Sequence, residues 1–278
     1  MKSISFGQFY PAESIIHRSD PRTKVILAVL YIISSFVCKN ILSFVLLVVS
    51  GFVIVLLSKI PLRILLRSIK PLIFIMIFMS LLNLFMTKGG VSLYSFWIFE
   101  ITSKGIYSAA SAVLRVITLI VGTSVFLTYT TTPISLTDGI EQLLNPLKKI
   151  KVPVHEFAMM MTIALRFIPT LIEETDKIIA AQKARGADFS NGNIIKRAKA
   201  LIPILVPLFI SAFRRADELA VAMECRCYRG GEGRTKLHIL KFGISDIFLI
   251  VLFVIFLAVL IIINHFGVDF NFVGDNWF

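Results

Sequence analysis

Apolar residues fall into five long runs, Val25–Val37, Ile41–Leu57, Pro71–Met86, Ile106–Thr128 and Ile247–Ile263. A helix needs about 20 predominantly apolar residues to cross a bilayer, so the last two runs predict spans outright. The first two are shorter and are separated only by Cys38-Lys39-Asn40. They predict a tight helical hairpin whose ends reach the interface, with Lys39 snorkelling.

Residues 129–243 follow another pattern. A short amphipathic helix is expected from Pro133 to about Lys149, with Pro146 and Pro153 breaking the chain around it. From Val154 to Ala184, apolar residues including Phe157, Met160, Met161, Ala164, Leu165, Ile168 and Leu171 recur at three- and four-residue spacing. That period predicts a long helix, and Gly186 stands where its C-terminal cap belongs. A second long helix is expected from about Gly192 to Tyr228. Its start is basic and its middle, Leu201–Phe213, is almost wholly apolar. Pro203 and Pro207 should bend it.

Composition strengthens the membrane reading. The chain of 278 residues is 56% hydrophobic and 17% charged, with mean hydropathy +0.84, against about a quarter charged in soluble domains. The fold class is therefore all-α: a polytopic membrane protein with about five transmembrane helices and two long cytoplasmic helices. Residues 1–128 would hold four spans, 129–243 the cytoplasmic segment, and 244–278 the last span and an exoplasmic tail.

A net charge of +12 would suggest nucleic acid in a soluble protein; here its distribution along the chain sets orientation instead. Four cations precede the first span and one lies in the first turn. Four separate spans two and three, two flank the next loop, and seventeen lie between Tyr129 and Lys241. The alternation fits a cytoplasmic N-terminus and an exoplasmic C-terminus. A sixth span at Leu201–Phe213 would be too short, holds two prolines and would spoil this pattern. Arg115 lies inside span four, where snorkelling is the expected outcome. The N-terminus lacks the apolar core and cleavage site of a signal peptide.

Both long helices end in one arrangement, Ala184-Arg185-Gly186 and Cys225-Arg226-Cys227. A helix C-terminus favours a cation by up to about 1 kcal/mol, which accounts for either arginine alone. It does not account for both having small neighbours. Those leave a planar five-donor group free to enter a groove and bind carboxylates or carbonyls. The apolar surplus nearby must also be buried somewhere, either between the helices and the membrane surface or under another membrane protein.

Several stretches resemble the transmembrane T component of energy-coupling factor (ECF) transporters. They are Gly7-Gln8-Phe9-Tyr10-Pro11, His17-Arg18-Ser19-Asp20-Pro21-Arg22-Thr23-Lys24, Arg166-Phe167-Ile168-Pro169, Ala181–Gly186, Ala216–Glu224 and Tyr228–Lys236. The resemblance covers nearly the whole chain. It implies that Ala184, Arg185, Gly186, Cys225, Arg226 and Cys227 bind two ABC-type ATPase subunits at the tips of two coupling helices. It also implies that Met160, Met161, Leu165, Ile168, Leu205, Leu208 and Phe209 face a substrate-binding S component. The chain would then be a non-catalytic scaffold in a bacterial cell membrane, binding no cofactor itself, with ATP-Mg on its partners. Import of a vitamin, or less readily a transition-metal ion, is the implied task.

Cys225 and Cys227 depart from the Ala and Gly usual in that family. Both are small, so docking is expected to survive, while a Cys-x-Cys metal site is the sharper alternative. No G-x-x-x-x-G-K-[ST] loop occurs, because Gly230–Thr235 lacks the spacing and the lysine. His155-Glu156 lacks the second histidine of a zinc-helix motif, and Asp246 is a lone carboxylate expected at the interface. A polytopic membrane enzyme or self-sufficient channel is the rival reading.

Overall fold

The structure, a computed structural model, describes residues 9–38, 40–87, 92–96, 99–187, 194–230 and 240–266. Lys39, and with it the snorkelling expected there, lies outside them. Helix α1 (Ile15–Arg18) starts where the Ser14 side chain accepts from His17 N–H. Helix α2 (Pro21–Val37) starts where Asp20 accepts from Arg22 N–H, with Pro21 in the first turn. Both starts are side-chain caps, and proline at the first position loses a donor that has no helical partner anyway.

The chain continues through α3 (Ile41–Ser58), α4 (Leu62–Ile69), a 3₁₀ turn at Lys70–Leu72 and α5 (Ile73–Met86). Strands β1 (Ser92–Phe96) and β2 (Phe99–Thr102) pair antiparallel, with Phe96 opposite Phe99. Helix α6 (Ser103–Thr123) runs into a π-helical segment, Ser124–Tyr129, followed by α7 (Pro133–Leu143). Then come a 3₁₀ segment at Asn145–Ile150, α8 (Val154–Ala184), α9 (Ile194–Cys225) and α10 (Ile244–His265). The short helix expected to reach Lys149 thus stops at Leu143, and the chain tightens to 3₁₀ where Pro146 enters. The β-hairpin is the departure from helix among the described residues.

Residues 1–143 and 240–278 form one compact unit, and 144–239 the other. These divisions differ from 128/129 and 243/244, because α7 packs on α2 within the first unit. That unit's core is built around Tyr31, Leu47, Val125, Phe126 and Leu260, all essentially without solvent contact. The Tyr31, Phe126 and Phe253 rings meet edge to face, Phe126 and Phe253 at 5.8 Å, an arrangement aromatic quadrupoles favour. Tyr31 fits because Gly51 and Gly122 stand beside it. A Cβ at Gly51 would lie 2.7 Å from the Tyr31 hydroxyl, and one at Gly122 would overlap the ring.

Among the described residues, five helical stretches are long and apolar enough to cross a membrane: Ile41–Ser58, Leu62–Met86, Ser103–Tyr129, Val154–Ala184 and Ile244–His265. Their outer faces expose residues such as Phe52, Phe74, Phe78 and Phe248, as lipid-facing surfaces do. This set is not the expected one. It takes in the apolar first half of α8 and leaves out α2, which has 17 residues. Helix α2 buries Thr23, Ser34 and Ser35 with Tyr31 and exposes Val29, Ile33 and Phe36.

Three polar contacts tie elements of this unit together. Arg115 Nη2 donates to the Cys38 carbonyl at 3.1 Å, with the guanidinium 5.8 Å over the Phe44 ring. It holds the end of α2 rather than merely snorkelling. Asn264 of α10 donates to the adjacent Val37 carbonyl at 2.7 Å, so both orphan carbonyls meet side chains. Asp246 is buried: its carboxylate accepts from Asp20 N–H and Gly243 N–H, both at 2.9 Å.

Candidate helix-tip site and apolar faces

The end of α8 has a defined hydrogen-bond pattern. Ala187 N–H donates to the Gln182 carbonyl and Gly186 N–H to the Lys183 carbonyl, each at 3.0 Å. Gly186 has φ +85°. These are the two bonds and the left-handed residue of a Schellman cap, and they make Arg185 the capping residue itself.

The end of α9 repeats the geometry. Tyr228 N–H donates to the Met223 carbonyl at 3.1 Å and Cys227 N–H to the Glu224 carbonyl at 2.8 Å. Cys227 takes the left-handed position with φ +54°, which puts Arg226 where Arg185 stands on α8. The missing glycine therefore changes no hydrogen bond in the cap. It leaves an L-residue where one costs about 1–2 kcal/mol.

Ala184, Arg185, Gly186, Cys225, Arg226 and Cys227 are all exposed. Each arginine thus stands at the negative end of a helix dipole, beside carbonyls already engaged by the cap, with its own donors directed to solvent or a partner. Cys225 and Cys227 are free thiols, and among the described residues no His, Asp or Glu groups with them as a metal cluster.

Behind the tips, α8 and α9 pack on each other. Ile163, Phe167 and Leu171 face Ala212, Ala216 and Ala220 across an apolar cavity of about 260 Å³. Large residues on α8 thus stand opposite small ones on α9 at matching four-residue spacing. At the cavity's edge Arg215 Nη2 meets Glu174 Oε2 at 2.9 Å. Of the expected partner-facing residues, Met160, Met161, Leu205 and Phe209 are exposed, Phe209 at 61%. Leu165, Ile168 and Leu208 are half-buried. Helix α9 exposes Leu201, Ile202, Val206, Ile210 and Phe213 as well and stays helical through Pro203 and Pro207.

Pattern reading missed a second polar centre. Lys24, counted there only as a topological charge, is buried, and its Nζ donates to the His17 and Thr130 carbonyls at 3.1 and 2.7 Å. Asp20 and Asp246 supply compensating charge nearby. Lys24 precedes the apolar run Val25–Val37.

A family model described as cobalt transport protein (CbiQ) matches residues 12–237. An energy-coupling factor transporter transmembrane protein of Ruminiclostridium cellulolyticum is 51% identical over 265 residues, covering 95% of this chain and 98% of that one. The equivalent protein of Acidaminococcus fermentans is 54% identical over 248 residues, covering 88% and 91%. That of Bacillus subtilis is 48% identical over 260 residues, covering 94% and 98%. With this similarity running through the membrane helices and both capped tips, the chain belongs to the CbiQ family and is a transmembrane component of energy-coupling factor transporters.

Proposed function

We propose that the chain is a non-catalytic scaffold that couples ATP hydrolysis by two bound ATPase subunits to movement of a substrate-binding S component. The observation that carries this reading is the duplicated tip: two long helices of one unit end in the same cap, each presenting an exposed arginine. Two equivalent tips suit two equivalent partner subunits. A guanidinium entering a groove brings five donors in a fixed plane. The capped carbonyls behind it make no further demand on the partner.

Closure of the ATPases on ATP would draw Arg185 and Arg226 together. Helices α8 and α9 would carry that displacement, pivoting where the alanine face of α9 meets Ile163, Phe167 and Leu171. The apolar surface of Met160, Met161, Leu165, Ile168, Leu205, Leu208 and Phe209 would hold the S component and shift with it. The charge pattern supports a cytoplasmic N-terminus and cytoplasmic helix tips. Substrate choice would rest with the S component, a vitamin or similar micronutrient being the class this architecture serves.

Arg185→Glu with Arg226→Glu tests the reading in the assembled transporter. Truncating a central interface arginine typically costs 2 kcal/mol or more, about thirtyfold in affinity, and reversing its charge costs further. Uptake and ATPase co-purification should be lost while the chain still inserts. Normal uptake in the double variant would reject the mechanism, and transport by the isolated chain would favour a channel.

A further inference from the structure

We propose that α4 is a binding surface for the headgroups of anionic phospholipids, independent of what docks at the helix tips. The helix has three faces. Leu65 is buried, with Ile64, Ser68 and Ile69 half-buried beside it. Arg63, Arg67 and Lys70 follow at four- and three-residue spacing, so they share one face, and all three are exposed. Leu62 and Leu66, four apart, form a separate stripe with exposures of 60% and 64%. Lys59, also exposed, precedes the helix in a left-handed conformation.

A cationic face beside an exposed leucine stripe suits a helix in the headgroup layer, with the leucines against acyl chains and the cations among phosphates. Continuity with the membrane-crossing surface supports that placement, because α4 leads through Lys70–Leu72 into α5, whose Phe74, Ile75, Ile77 and Phe78 are exposed. Charge complementarity supports the lipid. The sequence has no carboxylate between Asp20 and Glu100, and α6, on which α4 packs, has none either. Neither this stretch of the chain nor α6 therefore supplies an anion to neutralise these cations.

Geometry also fixes the end of the bundle. The Tyr129 hydroxyl bonds Ser68 and donates to the Ile64 carbonyl, while the Tyr129 carbonyl accepts from Tyr10 N–H. Thr130, next in the chain, accepts from Lys24. So α4 lies at the basic N-terminal end, the side that faces the anionic cytoplasmic leaflet when positive residues face inward.

The test measures phosphatidylglycerol and phosphatidylcholine binding to the intact chain, released from detergent, by native mass spectrometry. A basic residue beside an anionic surface is worth about fivefold in association. Wild type should bind phosphatidylglycerol at least tenfold more tightly than phosphatidylcholine, and the preference should fall as salt rises. Arg63→Gln with Arg67→Gln and Lys70→Gln should reduce it at least fivefold, while Arg63→Lys with Arg67→Lys should retain it. Neutralising the exposed trio Lys148, Lys149 and Lys151 should leave it unchanged. No preference in wild type at low salt overturns the proposal whether or not the variants fold. So does equal loss on neutralising the control trio, or displacement of the lipid by 10 mM inorganic phosphate, about the level that would mark a free-anion site.

Discussion

Replacing Gly186 with alanine should loosen the end of α8 about fivefold. A Cβ at this position would meet no heavy atom within 4 Å, so crowding contributes nothing. What remains is the cost of holding an L-residue at φ +85°, about 1–2 kcal/mol, less the 0.4–1 kcal/mol that alanine recovers by restricting the unfolded chain. The net is about 1 kcal/mol. The assay is amide hydrogen exchange at positions 186 and 187, whose N–H groups are held by the Lys183 and Gln182 carbonyls. Exchange should accelerate about fivefold there and stay unchanged at the start of α8. The other tip supplies the converse. Cys227→Gly should slow exchange at positions 227 and 228, whereas Cys227→Ala should not, since alanine bears the same left-handed cost as cysteine. Unchanged exchange in Gly186→Ala would refute the reasoning, as would equal slowing in Cys227→Ala, which would assign the effect to the thiol.

Other perturbations probe the membrane unit. Gly122→Val should destabilise the bundle by about 3 kcal/mol or more, because its Cβ overlaps the buried Tyr31 ring; adding Tyr31→Leu should restore part of the thermal stability in detergent. Lys24→Met should cost about 2 kcal/mol or more by stranding the His17 and Thr130 carbonyls and removing a cation near Asp20 and Asp246. Arg18→Gln, at an ion pair exposed on both sides, should change stability little. His17 gives a pH dependence. Its Nε2 donates to the Tyr10 carbonyl and its Nδ1 accepts from Ser14, and burial holds its pKa below the ordinary 6.5. The folded state resists a proton that the unfolded state accepts, so this stability is present above pH 6.5 and lost as pH falls through the folded pKa. A chemical-denaturation series across that range should show the slope, and His17→Gln should remove it.

Long local patterns were legible in the sequence. The spacing from Val154 to Ala184 marks a helix that the structure bounds at the same residues, because a period of 3.6 over eight turns leaves little alternative. Long-range partners were not. Asp246 and Asp20 are 226 positions apart, and Arg115 reaches Cys38 across 77, distances over which residue spacing carries no signal. The hairpin Ser92–Thr102 also escaped, since strands of five and four residues show too few alternations to stand out between apolar runs. At the tips the paired arginines were visible, while the left-handed position of Cys227 was marked only by the glycine usual there in the family it resembles, because cysteine itself is no marker of that conformation.

The most direct test of force transmission places a photo-crosslinking residue at Ala184, and separately at Cys225, in the assembled transporter. Both positions should give adducts with the ATPase subunits that disappear when the adjacent arginine is reversed to glutamate. Adducts only with lipid or with the S component would contradict the account.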